Sequence, residues 1–458
     1  MGLMPPQDSM FLVPESREQP MHVGGLQVFE LPEGADDGFV SELYEQALAV
    51  EEVSPLFRKR PRRSLTTLGQ WAWEEDDDLD LEHHVRHSAL PRPGRVRELL
   101  ALVSRLHGTL LDRKRPLWEA HLIEGLEGGR FAVYTKTHHA MIDGISGMRL
   151  LQRSMSTDPD AVVPMPYAMR TQGGRRRGGG GGVTALPGQA ARGAVRVGVD
   201  AVTITPALVK IAEKVLRQQR LALPGQAPRT ILNTSISGSR RFAADGWDLS
   251  RIRAVGKAAG ATVNDVVLAM CSGALRQYLL DLDALPDAPL IAMTPVNLRA
   301  DDPDDDRTGN AVGIILCNLA TDLEDAGERL AAVRESMLHG KDVLSGLDQL
   351  QITALSALAL TPIGLNAFLP LHKLTNAYNL VISNVPGPAD TLYFNGARLQ
   401  GLYPLSIPTH GQALNVTVTS YAGQLQFGLT GDRKALPSLQ RLLVHLEDSL
   451  AALERAVA

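Results

Sequence analysis

The sequence contains very little cysteine. Its 458 residues include only Cys271 and Cys317, and apolar residues surround each of them. Two isolated thiols suggest neither a disulfide framework nor a zinc cluster, and the chain has no Gly-x-Ser-x-Gly nucleophile elbow. We therefore expect a reducing, cytoplasmic environment and no covalent acyl-enzyme intermediate.

The chain also lacks a strong excess of charge of either sign. Its formal net charge is −5, with 21% charged and 44% hydrophobic residues, which is typical of a globular chain long enough for two or three domains. A domain-wide basic surface is absent, so we expect no nucleic acid partner. The basic run Arg58–Arg63 could bind phosphate, an anionic lipid surface, or the acidic segment Glu74–Glu82 that follows it.

The N-terminus lacks a basic segment followed by an apolar core, and Pro6 stands where a myristoylation signal has Ser or Thr, so we expect neither export nor lipidation. One longer stretch, Ile352–Leu371, has no charged residue but is interrupted by polar residues, glycine and proline. It predicts a buried helix broken at Thr361-Pro362. The same stretch could form an apolar wall for an acyl chain or a shallow membrane contact.

Composition divides the chain into two globular blocks. Residues Gly173–Gly182 contain only glycine and arginine and predict a flexible linker. We expect an N-terminal domain over residues 1–170, a linker with an amphipathic helix over 171–228, and a C-terminal domain over 229–458. The basic amphipathic pattern Val183–Leu223 could lie on an anionic membrane or droplet surface, or bridge the two domains.

Hydrophobic periodicity predicts a mixed α/β chain. Helical patterns occur at Phe39–Glu51, Val96–Leu111, Leu249–Ala259, Val263–Leu280 and Leu436–Val457. Short strand-like runs alternate with them, among them Leu290–Pro295, Ala311–Cys317, Leu380–Ser383 and Leu414–Tyr421.

The most informative pattern is the heptapeptide His138-His139-Ala140-Met141-Ile142-Asp143-Gly144. The residues before it, Phe131–Thr137, are rich in β-branched and aromatic side chains and predict a strand. Successive side chains of a strand leave on opposite faces, so the two histidines should not point into the same cavity. We expect one histidine to support the loop and the other to reach the substrate, which argues against a shared metal ion.

The chemistry of the heptapeptide favours proton transfer. A neutral His139 imidazole can remove a proton from a substrate hydroxyl and return it to a leaving thiolate. Asp143 could orient an imidazole, pair with an arginine such as Arg299, or be solvated. Gly144 would permit close backbone approach where a larger residue would obstruct the cavity. The motif thus predicts direct acyl transfer to an alcohol, with no metal.

Four motifs together resemble one family. They are Pro116-Leu117-Trp118, the heptapeptide, Asn264-Asp265 and Ser383–Pro388. Over nearly its whole length the chain resembles the bacterial wax ester synthase/diacylglycerol acyltransferase family, whose fold is similar to chloramphenicol acetyltransferase, carnitine acyltransferases and peptide-synthetase condensation domains. On the residues alone, Trp118 is expected in the core and Ser383–Pro388 at a crossover between domains.

The resemblance implies an α/β fold of two chloramphenicol acetyltransferase-like domains, with mixed sheets flanked by helices and an active-site tunnel between them. It implies that His139 is the general base, that His138 supports it, and that Asp143 is structural and pairs with Arg299.

Two further residues enter through the resemblance. The family associates Asn264 with activity, which fits an amide donor facing the oxyanion, although from the residues alone Asn264 could equally cap a helix. Glu15 matches an N-terminal acid of the family and, with Gly144, is assigned to substrate binding.

The expected activity is acyl-CoA-dependent O-acyl transfer, making triacylglycerol from diacylglycerol and wax esters from long-chain alcohols. Acyl-CoA is a substrate, and no cofactor is expected. Because both substrates partition into lipid, we expect a cytoplasmic protein bound peripherally to a membrane or lipid droplet. The alternatives are a noncatalytic module that binds lipid or acyl-CoA, and a condensation-type enzyme that uses carrier-protein thioesters.

Overall fold

Two six-stranded sheets organise the chain. A computed structural model describes residues 2–36, 38–63, 67, 69–169, 227–297, 312–347, 352 and 376–458. Three predictions lie outside these residues: the linker with its amphipathic helix, the broken helix after Ile352, and the role of Arg299.

The first sheet carries the motif histidines. Its strands are β2 (His22–Glu30), β5 (Val85–Ala89), β6 (Trp118–Leu126), β7 (Arg130–His138), β12 (Tyr393–Phe394) and β13 (Ala397–Leu405). They lie in the order β12-β13-β2-β7-β6-β5, antiparallel except for the parallel pair β5 and β6. The predicted strand before the heptapeptide is confirmed as β7.

The second sheet is mixed. Its strands are β8 (Arg240–Asp248), β9 (Ile291–Asn297), β10 (Val312–Asn318), β11 (Leu380–Val385), β14 (Leu414–Tyr421) and β15 (Gln424–Asp432). Their order is β10-β9-β11-β14-β15-β8, and β11 runs parallel to both of its neighbours. The predicted strands near residues 290, 312, 380 and 414 are therefore confirmed, with small shifts at their ends.

Helices cover the sheets. They are α1 (Pro6–Ser9), α2 (Phe39–Leu48), α3 (Leu81–His84), α4 (Val96–His107), α5 (Gly144–Arg153), α6 (Leu249–Ala259), α7 (Val263–Leu280), α8 (Ala326–Ser345) and α9 (Arg441–Val457). The bounds of α6 and α7 match the prediction. The predicted helix from Leu436 begins only at α9, because Ser438 has a φ of 52° and interrupts helical backbone.

The second block contributes strands to the first sheet. Residues Ser383–Val385 end β11, and the chain continues through Pro386–Pro388 to β12 and β13, where β13 pairs with β2. The second half of the chain therefore adds two strands to the first sheet, and the domain boundaries stay a prediction. The local pattern of a strand does not reveal which strand it pairs with. Ser383–Pro388 does lead to a crossover, as predicted.

The two halves also share a core. Leu99 and Val103 of α4 pack in one buried cluster with Leu26 of β2, Phe242 of β8 and Leu405 of β13. His107, the last residue of α4, accepts or donates hydrogen bonds at both ring nitrogens, with the Tyr134 hydroxyl at 2.8 Å and the Ser406 carbonyl at 3.0 Å. A buried histidine thus joins elements from both blocks.

A small third sheet explains the basic run. It consists of β1 (Gly2–Leu3), β4 (Trp71–Glu75) and β3 (Lys59–Arg63), in the order β1-β4-β3. Glu74 pairs with Arg60 at 3.1 Å and with Arg62, and Arg58 lies 3.5 Å from Glu75. Of the three possibilities, pairing with the following acidic segment is confirmed.

No single helix among the described residues is long and apolar enough to cross a bilayer. Only α6 and α7 taken together meet the length and composition criteria, and they are bent by 101°. Most of α7 is buried in the core of the second half, from Val266 to Leu279. This pair therefore fits the core of the fold.

We expect acid to destabilise the protein through His107. Burial lowers the pKa of His107 to about 3, although its hydrogen bond to the Ser406 carbonyl opposes the shift. Between that value and the ordinary pKa near 6.5, the unfolded chain binds a proton that the native chain excludes, so stability falls as pH falls. His107→Gln should weaken the dependence of the melting temperature on pH between 7 and 5.

The control for this measurement is His339→Gln on α8, which lies away from the junction of the two halves. It should keep the original dependence on pH. An unchanged slope in His107→Gln would contradict the assignment of acid sensitivity to this residue.

Candidate active site

His138 is the last residue of β7 and is fully buried. It stands opposite His22 of β2, and its amide donates to the Leu117 carbonyl at 2.9 Å. The Ala140 amide donates to His138 Nδ1 at 3.0 Å, so that nitrogen is unprotonated. The remaining nitrogen, Nε2, lies 3.3 Å from Oε1 of Glu15. His138 therefore faces protein on all sides and is a supporting residue.

Glu15 lies behind His138. Its side chain is 2% exposed, and it accepts hydrogen bonds from the Met21 amide at 3.1 Å and from Arg113 Nε at 2.8 Å. Burial alone would raise the pKa of Glu15, but the contacts with His138, Met21 and Arg113 hold that pKa below its ordinary value. Glu15 is thus an ionised anchor beneath the motif, in a position that supports His138.

His139 faces the other way. Its amide donates to the Met21 carbonyl at 2.9 Å, and its ring stacks on Phe11 with centroids 4.0 Å apart and an angle of 23°. The residue is partly exposed. Nδ1 is buried and has no hydrogen-bond partner among the described residues. The two histidines therefore leave opposite faces of the strand end.

The environment of His139 keeps the imidazole neutral. Burial lowers its pKa to about 4, and the nearby His138 acts in the same direction. Its own backbone carbonyl and Asp143 act in the opposite direction, with smaller effect. A neutral imidazole can accept a proton at cellular pH.

Asp143 begins helix α5. Its carboxylate accepts hydrogen bonds from the Ser146 amide at 2.8 Å and the Ser146 hydroxyl at 3.1 Å, which is an N-cap geometry. The cap fixes the loop that follows His139. Arg299 lies outside the described residues, so the pairing of Asp143 with Arg299 stays a prediction.

Gly144 is exposed at the first turn of α5. A Cβ atom built there would meet no atom of the described residues within 4 Å. Packing against those residues therefore does not require glycine at this position.

Asn264 lies in the first turn of α7 but does not cap it. Thr262 is the cap, because its hydroxyl accepts from the Asp265 amide at 3.2 Å while Asp265 accepts from the Thr262 amide at 2.9 Å. The capping alternative for Asn264 is therefore wrong. Its partly exposed side chain makes no hydrogen bond in the part of the chain that the structure describes, and no described contact links it to His139.

The two remaining motifs, Pro116-Leu117-Trp118 and Ser383–Pro388, have structural roles. Trp118 is buried as predicted, donates to the Phe57 carbonyl at 2.8 Å, and stacks on Tyr167. Gly387 comes so close to Ser420 that an added Cβ would lie 2.1 Å from the Ser420 carbonyl oxygen. Both motifs thus serve packing and chain path.

Sequence reasoning missed the segment that holds the motif. Phe11 and Met21 both contact His139, and Arg113 contacts Glu15. None of these three residues belongs to a recognisable local motif. Their side chains are apolar or commonly solvated types, so spacing carried no signal for them.

Two other chemistries find no support in the described ranges. Burial raises the pKa of both Cys271 and Cys317 to about 12, which leaves each thiol protonated and unreactive. Within those ranges no cluster of three or more His, Cys, Asp or Glu side chains is arranged to hold a metal ion.

Two family models and several named proteins are similar to this chain. Residues 4–267 match the wax ester synthase/diacylglycerol acyltransferase catalytic domain, and residues 308–454 match the C-terminal domain of the same family. A Mycobacterium tuberculosis protein named "Probable diacyglycerol O-acyltransferase tgs2" is 52% identical over all of both chains. The O-acyltransferase WSD of Acinetobacter baylyi is 43% identical, over 99% of this chain and 97% of that one.

Solved structures give the same result. The wax ester synthase/diacylglycerol acyltransferase from Marinobacter aquaeolei VT8 has a TM-score of 0.79 and 43% identity, with both chains fully covered. The starter condensation domain of rhizomide synthetase has a TM-score of 0.57 at 13% identity, which shows a shared fold alone. The predicted two-domain α/β fold is confirmed, and the chain belongs to the wax ester synthase/diacylglycerol acyltransferase family.

Proposed function

We propose that the protein is an acyl-CoA-dependent O-acyltransferase that makes triacylglycerol from diacylglycerol by direct transfer. The observation that carries this proposal is the His139 imidazole, which burial keeps neutral, which stacks on Phe11, and which points away from the buried His138. The names of full-length relatives at 43–52% identity describe the same reaction class.

The reaction needs one base and no covalent enzyme intermediate. His139 Nε2 takes the proton of the acceptor hydroxyl as its oxygen attacks the thioester carbonyl of acyl-CoA. The tetrahedral intermediate then collapses, the carbon–sulfur bond breaks, and the imidazolium returns its proton to the CoA thiolate. One ester forms and one thioester is consumed, so atoms and charge balance.

Asn264 is our candidate for stabilising the oxyanion. Its amide has no partner among the described residues, and it lies in the first turn of α7, where backbone amides and the helix dipole favour negative charge. The carbonyl oxygen of the thioester would have to approach that helix end. His139 and Asn264 would then act on opposite sides of the reacting carbon.

Long-chain alcohols are a second class of acceptor. The name of the Marinobacter relative covers both wax ester and triacylglycerol synthesis. A primary alcohol presents the same hydroxyl to His139 as diacylglycerol does. Diacylglycerol is placed first because the more similar mycobacterial relative carries that name.

A noncatalytic binder and a carrier-dependent condensation enzyme are less well supported. A binder would not need an imidazole that is held neutral at cellular pH. The likeness to condensation domains lies at 13% identity and indicates fold only. Release of CoA from acyl-CoA, with and without an acceptor alcohol, separates all three possibilities.

Replacing the base should abolish turnover without unfolding the protein. For His139→Ala we expect acceptor-dependent CoA release to fall by about 10²–10⁴-fold, the usual contribution of a positioned general base. CoA release is followed with a thiol reagent, and thermal unfolding reports the fold. The matched control is His83→Ala, a partly exposed histidine of α3, which should retain full activity. If His139→Ala retained most of its turnover, the proposed mechanism would be wrong.

We expect kcat/KM to show no decline near pH 6.5, where an ordinary histidine is protonated. Because the pKa of His139 is lowered to about 4, the base form persists above that pH, and activity is lost only as pH falls through it. We expect kcat/KM for acyl-CoA to stay level from pH 8 to 5 in short assays on protein kept at pH 7. A limb centred near 6.5 would show that the working histidine is solvated.

Lipid-soluble acceptors imply contact with a lipid surface, and we propose a place for it. Three exposed apolar side chains, Met10, Val13 and Leu110, form what we call the N-terminal apolar patch. Their chain neighbours Phe11, Leu12 and Leu111 belong to one apolar cluster, which also includes Ala140 of the motif. The patch therefore adjoins the segment that stacks on His139.

Cations and tryptophans border the patch. Arg63 lies over the Trp71 ring at 5.1 Å, and neither Arg63 nor the exposed Lys114 has a carboxylate partner in the described ranges. Trp71 and Trp73 are half-buried against the same apolar cluster. Apolar, aromatic and basic side chains in this combination favour peripheral binding to an anionic membrane or droplet surface.

Removing the patch should weaken lipid binding selectively. Met10→Ser/Val13→Ser/Leu110→Ser should reduce cosedimentation with phosphatidylcholine–phosphatidylglycerol vesicles and slow acylation of diacylglycerol in them. Turnover of a water-soluble short-chain alcohol should persist. The control, Leu338→Ser/Val444→Ser, removes exposed apolar area from α8 and α9 and should bind normally. Equal binding by both variants would contradict this location.

A further inference from the structure

The N-terminal segment contacts both motif histidines. We call residues 11–22 the N-terminal strap. Its Phe11 ring stacks on His139, its Glu15 carboxylate faces His138 Nε2 at 3.3 Å, and its Met21 carbonyl accepts the His139 amide at 2.9 Å. The position of the His139 imidazole therefore depends on where the strap lies.

The second half of the chain holds this strap. Arg240, the first residue of β8, donates from Nη2 to the Glu18 carbonyl at 2.6 Å. The His410 amide donates to Oε1 of the buried Gln19 at 2.8 Å. Gly238 also approaches the strap, because a Cβ atom there would lie 2.9 Å from the Arg17 carbonyl oxygen.

Arg240 is unusually well enclosed for a charged residue. The side chains of Arg240 and Asp432 are each 1% exposed, and they lie 3.7 Å apart. Burial lowers the pKa of Arg240 to about 10, with Asp432 opposing the shift, so the guanidinium stays charged at neutral pH. Asp432 also accepts from the Ser237 amide at 2.7 Å and the Ser237 hydroxyl at 2.6 Å.

A charge buried at this depth is costly unless its partners satisfy it. The partners of Arg240 in its own half are the Asp432 carboxylate and the Ser237 carbonyl, and its partner in the strap is the Glu18 carbonyl. Because the acceptor in the strap is a backbone carbonyl, a change of side-chain rotamer in the strap cannot move it away from the guanidinium. The guanidinium therefore ties the path of the strap to the second sheet.

We propose that Arg240, held by Asp432, is a positioning residue for the His139 base, acting across the two halves through the Glu18 carbonyl and the N-terminal strap. Arg240 touches neither motif histidine. The inference rests on the proposed function, because it assumes that His139 is the base.

The principal test is Arg240→Met, which keeps the length of the side chain and removes its charge and donors. A displacement of about 1 Å in a catalytic group costs on the order of 10²-fold in rate, so we expect kcat to fall by at least about tenfold. KM for acyl-CoA should change little, because Arg240 lies outside the motif. Arg240→Lys keeps one donor and the charge, and it should restore part of kcat.

The pH profile provides a readout that general loss of stability would not move. The pKa of His139 is low because the imidazole is buried. If the strap loosens, water reaches the ring and that pKa returns toward 6.5. The acid limb of kcat/KM should therefore move to higher pH in Arg240→Met and remain in place in the unchanged protein.

The matched control is Arg329→Met. Arg329 is also a buried arginine of the second half that donates to backbone carbonyls, those of Leu323 and Glu324, but it has no contact with the strap. It should lower the melting temperature without moving the acid limb.

A second variant covers the case in which Arg240→Met fails to fold. Gln19→Met removes the acceptor for the His410 amide and leaves the Arg240–Asp432 pair intact. It should lower kcat and raise the acid limb in the same direction, to a smaller extent.

The outcomes separate the two proposals. If folded Arg240→Met and Gln19→Met keep the original kcat and acid limb while His139→Ala is inactive, the positioning role is wrong and the proposed function stands. If His139→Ala retains turnover, the proposed function fails first. A folded Arg240→Met that moves the limb no further than Arg329→Met does would also overturn the inference.

Discussion

The contact between Glu15 and His138 is the interaction on which the site depends. A carboxylate with a 2% exposed side chain is stable only when its partners satisfy it, and Glu15 has the His138 ring, the Met21 amide and Arg113. These partners come from three separate stretches of chain. Because these partners are held together, the end of β7 at His138 has a defined position. The position of His139, the next residue, is therefore defined as well.

The geometry of a strand places the supporting histidine, His138, and the proposed base, His139, on opposite faces. Because neighbouring side chains leave opposite faces, burying His138 forces His139 toward the other side. The buried face of β7 continues the same polar character: Lys136 is fully buried and donates to the Leu106 and Thr109 carbonyls, with Glu119 at 3.0 Å. Such a satisfied polar network resists rearrangement, which keeps the strand end in one position.

Local patterns predicted much of this structure, but not its pairings. β7, α6 and α7 followed from hydrophobic periodicity, and the divergence of the two histidines followed from strand geometry. The addition of β12 and β13 to the first sheet did not follow, because strand pairing is set by contacts distant in sequence. Thr262 and Asp265 have the spacing of a capping box, so the cap of α7 has a signal in the sequence that the prediction for Asn264 did not use. The strap gave no local signal, since its contacts with the histidines exist only in the folded chain.

The exchange of elements between halves has a mechanical consequence. β13 joins β2 edge to edge, while Arg240 of β8 reaches back to the strap that enters the same β2. Glu18 and Gln19 of the strap are therefore bound to residues that lie more than 200 positions later in the chain. A hinge that separated the halves would have to break sheet hydrogen bonds and expose a buried guanidinium, which is costly. The two halves are thus expected to move as one body around His139.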